Sequence, residues 1–486
     1  MRAALDSRLV GAAELPAEAR RLREQGWRFV TATALPRDGG WTVLYHFERG
    51  GRLAHLRLEV GRGGHVPAID ESCPGAYLVE NEMHELQAVP VTGMALDYGG
   101  RLYRDLVVSD GEAAETPAET AGPPSERPTT VVPFGPQHPV LAEPIQLELS
   151  LHGDVVADVS LGLGYVHRAI EAEAERRPFD EDVLLLERVC GICSVAHGVA
   201  YAQAVEALAG VEVPRRARLI RTFFFELTRL HSHLLWLGLA ADSIGFEALF
   251  QSCWRVREGI LDLFAATAGA RVIISIAVLG GVRADLPVAD LGFVRGKLDE
   301  LETDLDGIAP FVLGDEALAR RLAGVGRITH EDAAALGAVG PTARASGVAL
   351  DVRLTGYAGY DELAVEPVVE TGGDALARVL VRWREIGRSL ALCRETLALL
   401  ETAPGPLRVR VPPILRGEAI ARVEAPRGEL FYYVAADGGP CPSRVRIRTP
   451  TFANLPALVR MLPGTQMAAV PVALLSIDPC LSCTER

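Results

Sequence analysis

Two pairs of closely spaced cysteines stand at distant positions in the sequence. Cys190 and Cys193 lie in the segment ERVCGICSVAHG, and Cys480 and Cys483 lie in the segment DPCLSCTER. Two such pairs could supply four soft thiolate ligands, which suit zinc, iron or nickel. The pattern favours a redox metal centre. Structural zinc and independent buried cysteines are the alternatives, although zinc sites usually place both pairs within a few tens of residues.

These cysteines need elements that hold them together. A helix predicted over residues 182–209 would place Cys190, Cys193 and His197 on one face, because they are separated by three, four and seven positions. The Asp478-Pro479 dipeptide favours a fixed turn before the second pair. A terminal segment frays unless it is anchored, and a metal shared with the first pair would anchor this one.

Composition excludes several classes of protein. The chain has 486 residues, 49% of them hydrophobic, and a formal charge of -14. Such a composition can form large cores, and its acidity disfavours binding to nucleic acid. Eight cysteines are too few for a secreted disulfide scaffold. No signal peptide and no membrane span of about 20 apolar residues is visible, so we expect a cytosolic protein with reduced cysteines.

The sequence predicts a multidomain protein. Residues 1–108 form a small α+β domain, in which alternating segments at 41–47 and 53–60 indicate a β-hairpin. Residues 109–133 are rich in proline and glutamate and are interpreted as an exposed linker. Residues 134–486 form a mainly α-helical domain with small peripheral β-sheets. Its further long helices are predicted at 214–241, 246–268, 288–305 and 374–401.

The cysteine segments resemble the two metal-binding motifs of nickel–iron hydrogenase large subunits. FGPQHPVLAEP, GYVHRAIE and VPRRARLIRTFFFELTRLHSHLLWLG resemble the energy-converting, membrane-associated branch, which is related to the 49-kDa quinone-site subunit of respiratory complex I. PGAYLVENEMHELQAVPVTG, before the linker, resembles the complex I 30-kDa subunit more loosely. A fusion of these two modules is the arrangement of formate hydrogenlyase large subunits.

The resemblance implies a catalytic subunit that interconverts dihydrogen with protons and electrons. Cys190 and Cys480 would be terminal nickel ligands. Cys193 and Cys483 would bridge nickel to an iron that carries two cyanides and one carbon monoxide. Structural positions in the family imply that the Cys480 thiolate is the first proton acceptor.

The same resemblance assigns roles to residues around the metals. Glu143, in LAEP, would carry the proton onward, with Glu187 as the rival candidate. Arg427, in APRG, would contact one cyanide, and Thr451, in TPTFAN, would donate a hydrogen bond to the other. His197 would form a hydrogen bond to a bridging sulfur rather than bind metal.

One further metal site and several partners are implied. Glu171, in HRAIE, matches a glutamate at a magnesium or iron site near the C-terminus, with a helix-surface salt bridge as the alternative. The end at Arg486 resembles the processed form of such subunits, or a gene without an extension. The other four cysteines stand alone, so we expect no iron–sulfur cluster in this chain.

Electrons would therefore leave through an iron–sulfur small subunit, accompanied by a ferredoxin-like subunit and membrane ion-pumping subunits. The expected location is peripheral, on the cytoplasmic face of the inner membrane. Two other functions stay open at this point: a complex I-like subunit lining a quinone site, and an assembly subunit with structural zinc.

Overall fold

A computed structural model of the chain describes residues 5–103 and 130–486. The elements of the first range are β1 Arg8–Leu9, α1 Leu15–Glu24, β2 Arg28–Arg37, β3 Gly40–Arg49, β4 Arg52–Gly61, β5 Val66–Pro67, α2 Tyr77–Gln87 and β6 Val91–Thr92. Four strands form a sheet in the order β1-β4-β3-β2. Strands β3 and β4 pair antiparallel from end to end, which confirms the predicted hairpin.

The second range is mainly helical, with small sheets. Its strands are β7 Thr130–Phe134, β8 Gln146–His152, β9 Val155–Gly162, β10 Ala277–Val278, β11 Gly281–Val282, β12 Arg416–Ala425, β13 Gly428–Asp437 and β14 Arg444–Arg448. Its helices are α3 Ile170–Ala174, α4 Phe179–Glu187, α5 Ser194–Ala209, α6 Arg215–Ser243, α7 Glu247–Ala268, α8 Leu291–Leu313, α9 Glu316–Leu322, α10 His330–Ala335, α11 Gly340–Arg344, α12 Ala375–Glu401, α13 Pro450–Met461, α14 Val470–Ser476 and α15 Leu481–Glu485. Three-stranded sheets have the orders β7-β8-β9 and β12-β13-β14.

Helix α6 is the centre of the helical part. It packs against α7 and α12, and α8 lies against both of these helices. Pro214 is the N-cap residue, so the helix begins one residue later than the predicted 214–241. Phe223, Phe224 and Phe225 are buried in the core. Helix α5 packs on the other side against β12 and β13, and so connects the bundle to the sheet.

The N-terminal sheet is covered on both faces. One face packs on its own helices α1 and α2. On the other face, Leu44 and Val30 join a cluster with Phe431 and Tyr433 of β13. Both faces are largely buried for that reason, and the two parts of the chain share an extensive interface.

The edge strand β2 is also capped by the second part of the chain. Arginine side chains from β14 donate hydrogen bonds to every second backbone carbonyl of β2. The pairs are Arg444 with Ala34 at 3.0 Å, Arg446 with Ala32 at 3.2 Å and Arg448 with Val30 at 3.1 Å. The unpaired backbone groups of an exposed strand edge can pair with another chain. Here the arginine side chains provide hydrogen-bond donors for three of these carbonyls.

Several boundaries differ from the sequence prediction, including the helix predicted at 288–305, which is observed at Leu291–Leu313. Residues 130–133, assigned to the linker, belong to β7, which pairs with β8 because Thr130, Val131 and Val132 favour an extended backbone. The rest of the predicted linker, 109–129, lies outside the described residues. The single helix predicted over 182–209 is wrong: α4 ends at Glu187 and α5 begins at Ser194.

The break between α4 and α5 contains the first cysteine pair. Cys190 therefore lies in a turn rather than on a helix, and Cys193 immediately precedes α5. Within residues 5–103 and 130–486, no helix combines the length and apolar character needed to cross a membrane.

Candidate metal centre

The two cysteine pairs meet in the folded chain. The sulfur atoms of Cys190, Cys193 and Cys483 lie within 4.8 Å of one another. The Cys480 sulfur lies 3.5 Å from that of Cys190. All four side chains are buried, and none forms a disulfide. In the described part of the chain, no other set of three or more histidine, cysteine or acidic side chains brings its ligand atoms this close.

Arg427 connects the two cysteine segments. Its guanidinium donates to the Cys193 sulfur at 3.2 Å and to the Asp478 backbone carbonyl at 2.8 Å, and it forms an ion pair with the Asp478 carboxylate at 2.8 Å. Asp478 has a φ of 57°, which produces the predicted turn before Cys480.

Arg427 is presented by the tight turn between β12 and β13. Gly428 follows it with a φ of 127°, and a Cβ there would lie 2.6 Å from the Gly340 nitrogen. Only glycine fits this position, because any side chain would collide with the backbone of α11.

Thr451 lies at the start of α13 and contacts the second cysteine pair. Its hydroxyl oxygen accepts a hydrogen bond from the Cys480 backbone N–H at 3.1 Å. Thr451 therefore lies beside the four cysteine side chains, which together are called the thiol pocket.

Arg168 was missed by the sequence analysis. It donates to the backbone carbonyls of Arg188 at 3.0 Å and Val189 at 2.8 Å, in the break before Cys190. It also donates to the Ser482 carbonyl at 2.8 Å. The only sequence signal for Arg168 was its position in the GYVHRAIE segment. The carbonyls that it binds come from distant segments and meet around one guanidinium only in the folded chain.

His197 lies one turn into α5, between a thiol and a phenol. Its Nε2 is 3.5 Å from the Cys483 sulfur and its Nδ1 is 2.7 Å from the Tyr432 hydroxyl. Burial lowers the pKa of His197 to about 4, so the ring is neutral near pH 7. With a thiolate at Cys483, the tautomer that satisfies both contacts has its proton on Nε2.

Glu143 contacts the cysteine tail directly. Its carboxylate accepts hydrogen bonds from the backbone N–H groups of Leu481 and Ser482, the latter at 3.1 Å, and from the Ser482 hydroxyl. Hydrogen bonding to Cys190, and to a smaller extent the charge of Glu143, raise the pKa of Cys480. Glu143 is therefore within electrostatic range of the Cys480 sulfur.

The rival carboxyl, Glu187, is held on the other side of the first pair. It accepts a hydrogen bond from the Ser275 hydroxyl at 2.6 Å. Burial raises the pKa of Glu187 to about 7, so it exchanges protons near neutral pH. Gly198 makes room for it, since a Cβ there would lie 2.9 Å from the Glu187 Cγ.

The surroundings of Glu171 do not fit the expected magnesium or iron site. Its carboxylate accepts from Arg444 at 2.9 Å, Arg446 at 3.3 Å and Arg486 at 2.8 Å, and from the Ile447 N–H at 3.0 Å. Burial acts to raise its pKa, but the three arginines outweigh burial and hold the pKa well below its usual range. A divalent cation would face three positive charges here. The structure places Glu171 in a buried ion-pair cluster with two arginines of β14 and Arg486, which differs from the helix-surface salt bridge of the alternative.

The histidines outside the thiol pocket have structural partners. His233 contacts the Glu385 carboxylate at 2.9 Å, and His167 contacts the Glu485 carbonyl at 2.5 Å. Among the described residues, neither belongs to a group of three or more potential metal ligands.

The thiol pocket has the chemistry of a soft-metal site. Hydrogen bonds from Cys193, Cys480 and Cys483 lower the pKa of Cys190 well below its usual value, so one thiolate is favoured even among the cysteines alone. Four buried sulfurs with one guanidinium and one imidazole beside them fit nickel, iron or zinc in ligand type.

Comparison with known proteins shows the family to which the chain belongs. The family model of the respiratory-chain NADH dehydrogenase 49 Kd subunit matches residues 243–416 and 407–486. The model of nickel-dependent hydrogenase matches residues 168–239. The chain belongs to this combined family of nickel-dependent hydrogenase large subunits and NADH dehydrogenase 49-kDa subunits, which confirms the resemblance.

Individual relatives include both hydrogenases and another respiratory complex. The carbon monoxide-induced hydrogenase of Rhodospirillum rubrum is 39% identical over 363 residues, which cover 74% of this chain and 99% of that protein. Formate hydrogenlyase subunit 5 of Escherichia coli is 36% identical over 475 residues, covering 92% of this chain and 82% of that protein. A chain of the archaeal membrane-bound sulfane sulfur reductase superposes with a TM-score of 0.70 at 35% identity, over 75% of this chain and 100% of that one.

Proposed function

We propose that the chain is the catalytic large subunit of a multisubunit nickel–iron hydrogenase that interconverts dihydrogen with two protons and two electrons. The observation that carries the proposal is the convergence of four buried cysteine sulfurs from segments 287 positions apart at their nearest members, Cys193 and Cys480. Membership of a family that includes nickel-dependent hydrogenases supports the same assignment.

Four cysteines would hold the nickel–iron centre with its two cyanides and one carbon monoxide. Cys190 and Cys480 would be the terminal ligands of nickel, and Cys193 and Cys483 would bridge the two metals. When bound, this centre supplies the acceptor for the electron pair of dihydrogen. The contact of His197 with the Cys483 sulfur orients that bridging thiolate and stabilises its charge.

The proton of dihydrogen needs a base and an exit. The Cys480 thiolate accepts it first, and Glu143 then receives it at its carboxylate. Glu143 is suited to this role because its carboxylate accepts hydrogen bonds from the backbone N–H groups of residues 481 and 482, which directly follow Cys480. A carboxyl group positioned in this way can alternate between proton acceptor and donor.

Arg427 and Thr451 would hold the anionic diatomic ligands of the iron. Arg427 is buried and contacts the Cys193 sulfur at 3.2 Å, so it lies close enough to the cysteines to donate to a ligand of the iron. The Thr451 hydroxyl, which accepts from the Cys480 N–H, retains its own proton for donation.

Electrons would pass to an iron–sulfur small subunit, with ferredoxin-like and membrane ion-pumping subunits completing the complex. The relatives named for a membrane-bound complex and for formate hydrogenlyase support such partners. We place the chain on the cytoplasmic face of the inner membrane, peripheral to the bilayer.

A complex I-like quinone-site subunit is the second candidate, favoured by the match to the 49 Kd subunit model. That function requires no thiolate pocket, however, and does not account for four converging cysteines. A structural-zinc assembly subunit is the third candidate, and it accounts for the thiols without using Glu143 or Arg427.

Exchange between deuterium gas and water, measured on the complex isolated with its partners, tests the proposal. We expect exchange in the wild type and in Cys253→Ala, a control that removes a buried thiol of α7 outside the pocket. Cys193→Ser should abolish exchange. Full exchange in Cys193→Ser, or none in the wild type, would contradict the proposed function.

A further inference from the structure

Helix α2 of the N-terminal domain carries two buried glutamates with different targets. Glu80 stays within its own domain, where it accepts from the Ile69 N–H at 2.8 Å and the Tyr45 hydroxyl at 3.1 Å. Glu82 leaves its domain and binds Arg446 of β14 at 2.6 Å and Arg486 of the cysteine tail at 2.5 Å. The proposed hydrogenase chemistry uses neither glutamate.

Arg486 is the point where the tail is attached. Its side chain is 3% exposed and binds Glu82 with one nitrogen and Glu171 with another, at 2.8 Å. The third nitrogen donates to the Thr484 carbonyl of the tail itself at 2.5 Å. The central carbon of the guanidinium also lies 5.0 Å from the centre of the Phe452 ring. Two carboxylates, a backbone carbonyl and an aromatic ring therefore surround the guanidinium.

Glu82 also has a hydrogen-bond partner within its own domain. The Tyr103 hydroxyl donates to it at 2.9 Å, and Glu82 is 3% exposed. A buried carboxylate that loses one of its partners leaves an uncompensated charge. Glu82, Arg446, Arg486 and Glu171 therefore form one connected cluster, and the two ion pairs of Arg486 form only when the tail is seated.

A second connection runs from the same domain to the tail through the backbone. The Leu163 N–H donates to the Leu102 carbonyl at 2.6 Å. A few residues later, the Val166 N–H donates to the Glu485 carboxylate at 2.6 Å and His167 contacts the Glu485 carbonyl. The ring of His167 packs against Tyr103 at 5.8 Å between centroids.

We propose that the N-terminal domain clamps the C-terminal cysteine tail, and that Glu82 is a positioning residue that acts through Arg486 on Cys480 and Cys483. The tail helix, Leu481–Glu485, is too short to be stable by itself. Its attachment at Arg486, three residues beyond Cys483, restricts where both sulfurs can lie. The consequence for the metal centre rests on the proposed function; the clamp itself does not.

Hydrogen–deuterium exchange of the tail peptide, residues 478–486, tests the clamp in the metal-free full chain. Without metal, the cysteines do not anchor the tail, so its protection depends on the clamp and on the contacts with Glu143, Thr451, Arg168 and Arg427. Glu82→Gln should exchange at least about tenfold faster than wild type in this peptide, because a charged pair is lost on both Arg446 and Arg486. An exchange rate within twofold of wild type would overturn the proposal.

Glu80→Gln is the matched control, two positions away on the same buried helix. Burial raises the pKa of Glu80 to about 8, so the carboxyl is mostly neutral at pH 7 and glutamine resembles it. We expect wild-type exchange in residues 478–486. Equal acceleration by Glu80→Gln and Glu82→Gln would mean general loosening of the domain and would also overturn the proposal.

Tyr103→Phe provides an independent test if Glu82→Gln does not fold. It removes one hydrogen bond to Glu82 and leaves both ion pairs, so exchange in residues 478–486 should rise by about two- to fivefold. No rise in the tail, with a native N-terminal domain, would contradict a role for Glu82.

Nickel retention in the isolated complex tests the functional consequence. Glu82→Gln should lose nickel to a chelator several-fold faster than Glu80→Gln. If no variant, including the wild type, contains nickel, the proposed function fails while the exchange result on the tail still decides the clamp.

Discussion

The thiol pocket and the Glu171 cluster were both expected to hold metals, and the structure makes them very different. In the thiol pocket, four sulfurs face one another with only Arg427 and His197 as polar side-chain partners. At Glu171, the carboxylate is occupied by three arginines. A motif predicts where a donor atom lies, but whether its electron pairs are free depends on neighbours that arrive from elsewhere in the chain.

The largest expected effect follows from removing one sulfur. Cys480→Ser should abolish nickel retention by the complex, because a hydroxyl is a poor ligand for a soft metal. Glu171→Gln should leave every metal at its wild-type level, as measured by elemental analysis. Loss of magnesium or iron from Glu171→Gln would restore the cation site and remove the contrast.

Glu171→Gln should act on stability instead. It leaves three buried arginines without their shared carboxylate, which should destabilise the metal-free chain by about 4 kcal/mol in equilibrium denaturation. Glu173 lies on the same helix as Glu171 and forms an exposed ion pair with Arg177. Glu173→Gln should therefore cost less than about 0.5 kcal/mol of stability. Similar costs for the two variants would show that the cluster is not structural.

Glu143→Gln should separate chemistry from metal binding. Glutamine preserves the shape but cannot carry a proton, so exchange between deuterium gas and water should fall by about 100-fold. Nickel content should stay at the wild-type level. If exchange persists, the proton leaves by another route, and Glu187→Gln becomes the variant to measure.

Glu187 has a pH signature of its own. Its pKa in the folded chain is about 7, above the ordinary value of 4.5, so the folded state holds this proton more tightly than the unfolded state. Stability from this group should therefore decrease by about 3 kcal/mol as the pH rises from about 4 to about 8, and then level off. The difference in unfolding midpoint between wild type and Glu187→Gln, followed over that range, measures it. A difference independent of pH would contradict the raised pKa.

Arg427→Lys should give the smallest effect. Lysine keeps the charge but loses the planar set of donors that reaches Cys193 and Asp478 together. We expect turnover to fall about tenfold with nickel retained. Unchanged turnover would remove Arg427 from the mechanism.

The sequence predicts local elements and the positions of the cysteine pairs well. Alternating strands such as β3 and β4 and amphipathic helices such as α12 are encoded by nearby residues. The two CxxC pairs were expected to meet because their chemistry requires it. Roles for individual residues around them stay predictions.

The errors arise where distant residues decide the outcome. The apolar segment around Val189 reads as helix, but Arg168 satisfies its carbonyls and stabilises a break. Glu171 reads as a possible ligand, but β14 and Arg486 occupy it. Glu82 reads as part of a small separate domain, although its partners lie more than 360 residues away.

Metal analysis with infrared spectroscopy of the complex isolated with its partners tests the central claim most directly. The account predicts about one nickel and one iron per chain, with absorption bands from cyanide and carbon monoxide ligands. Zinc in the thiol pocket, or no metal and no such bands, would contradict it.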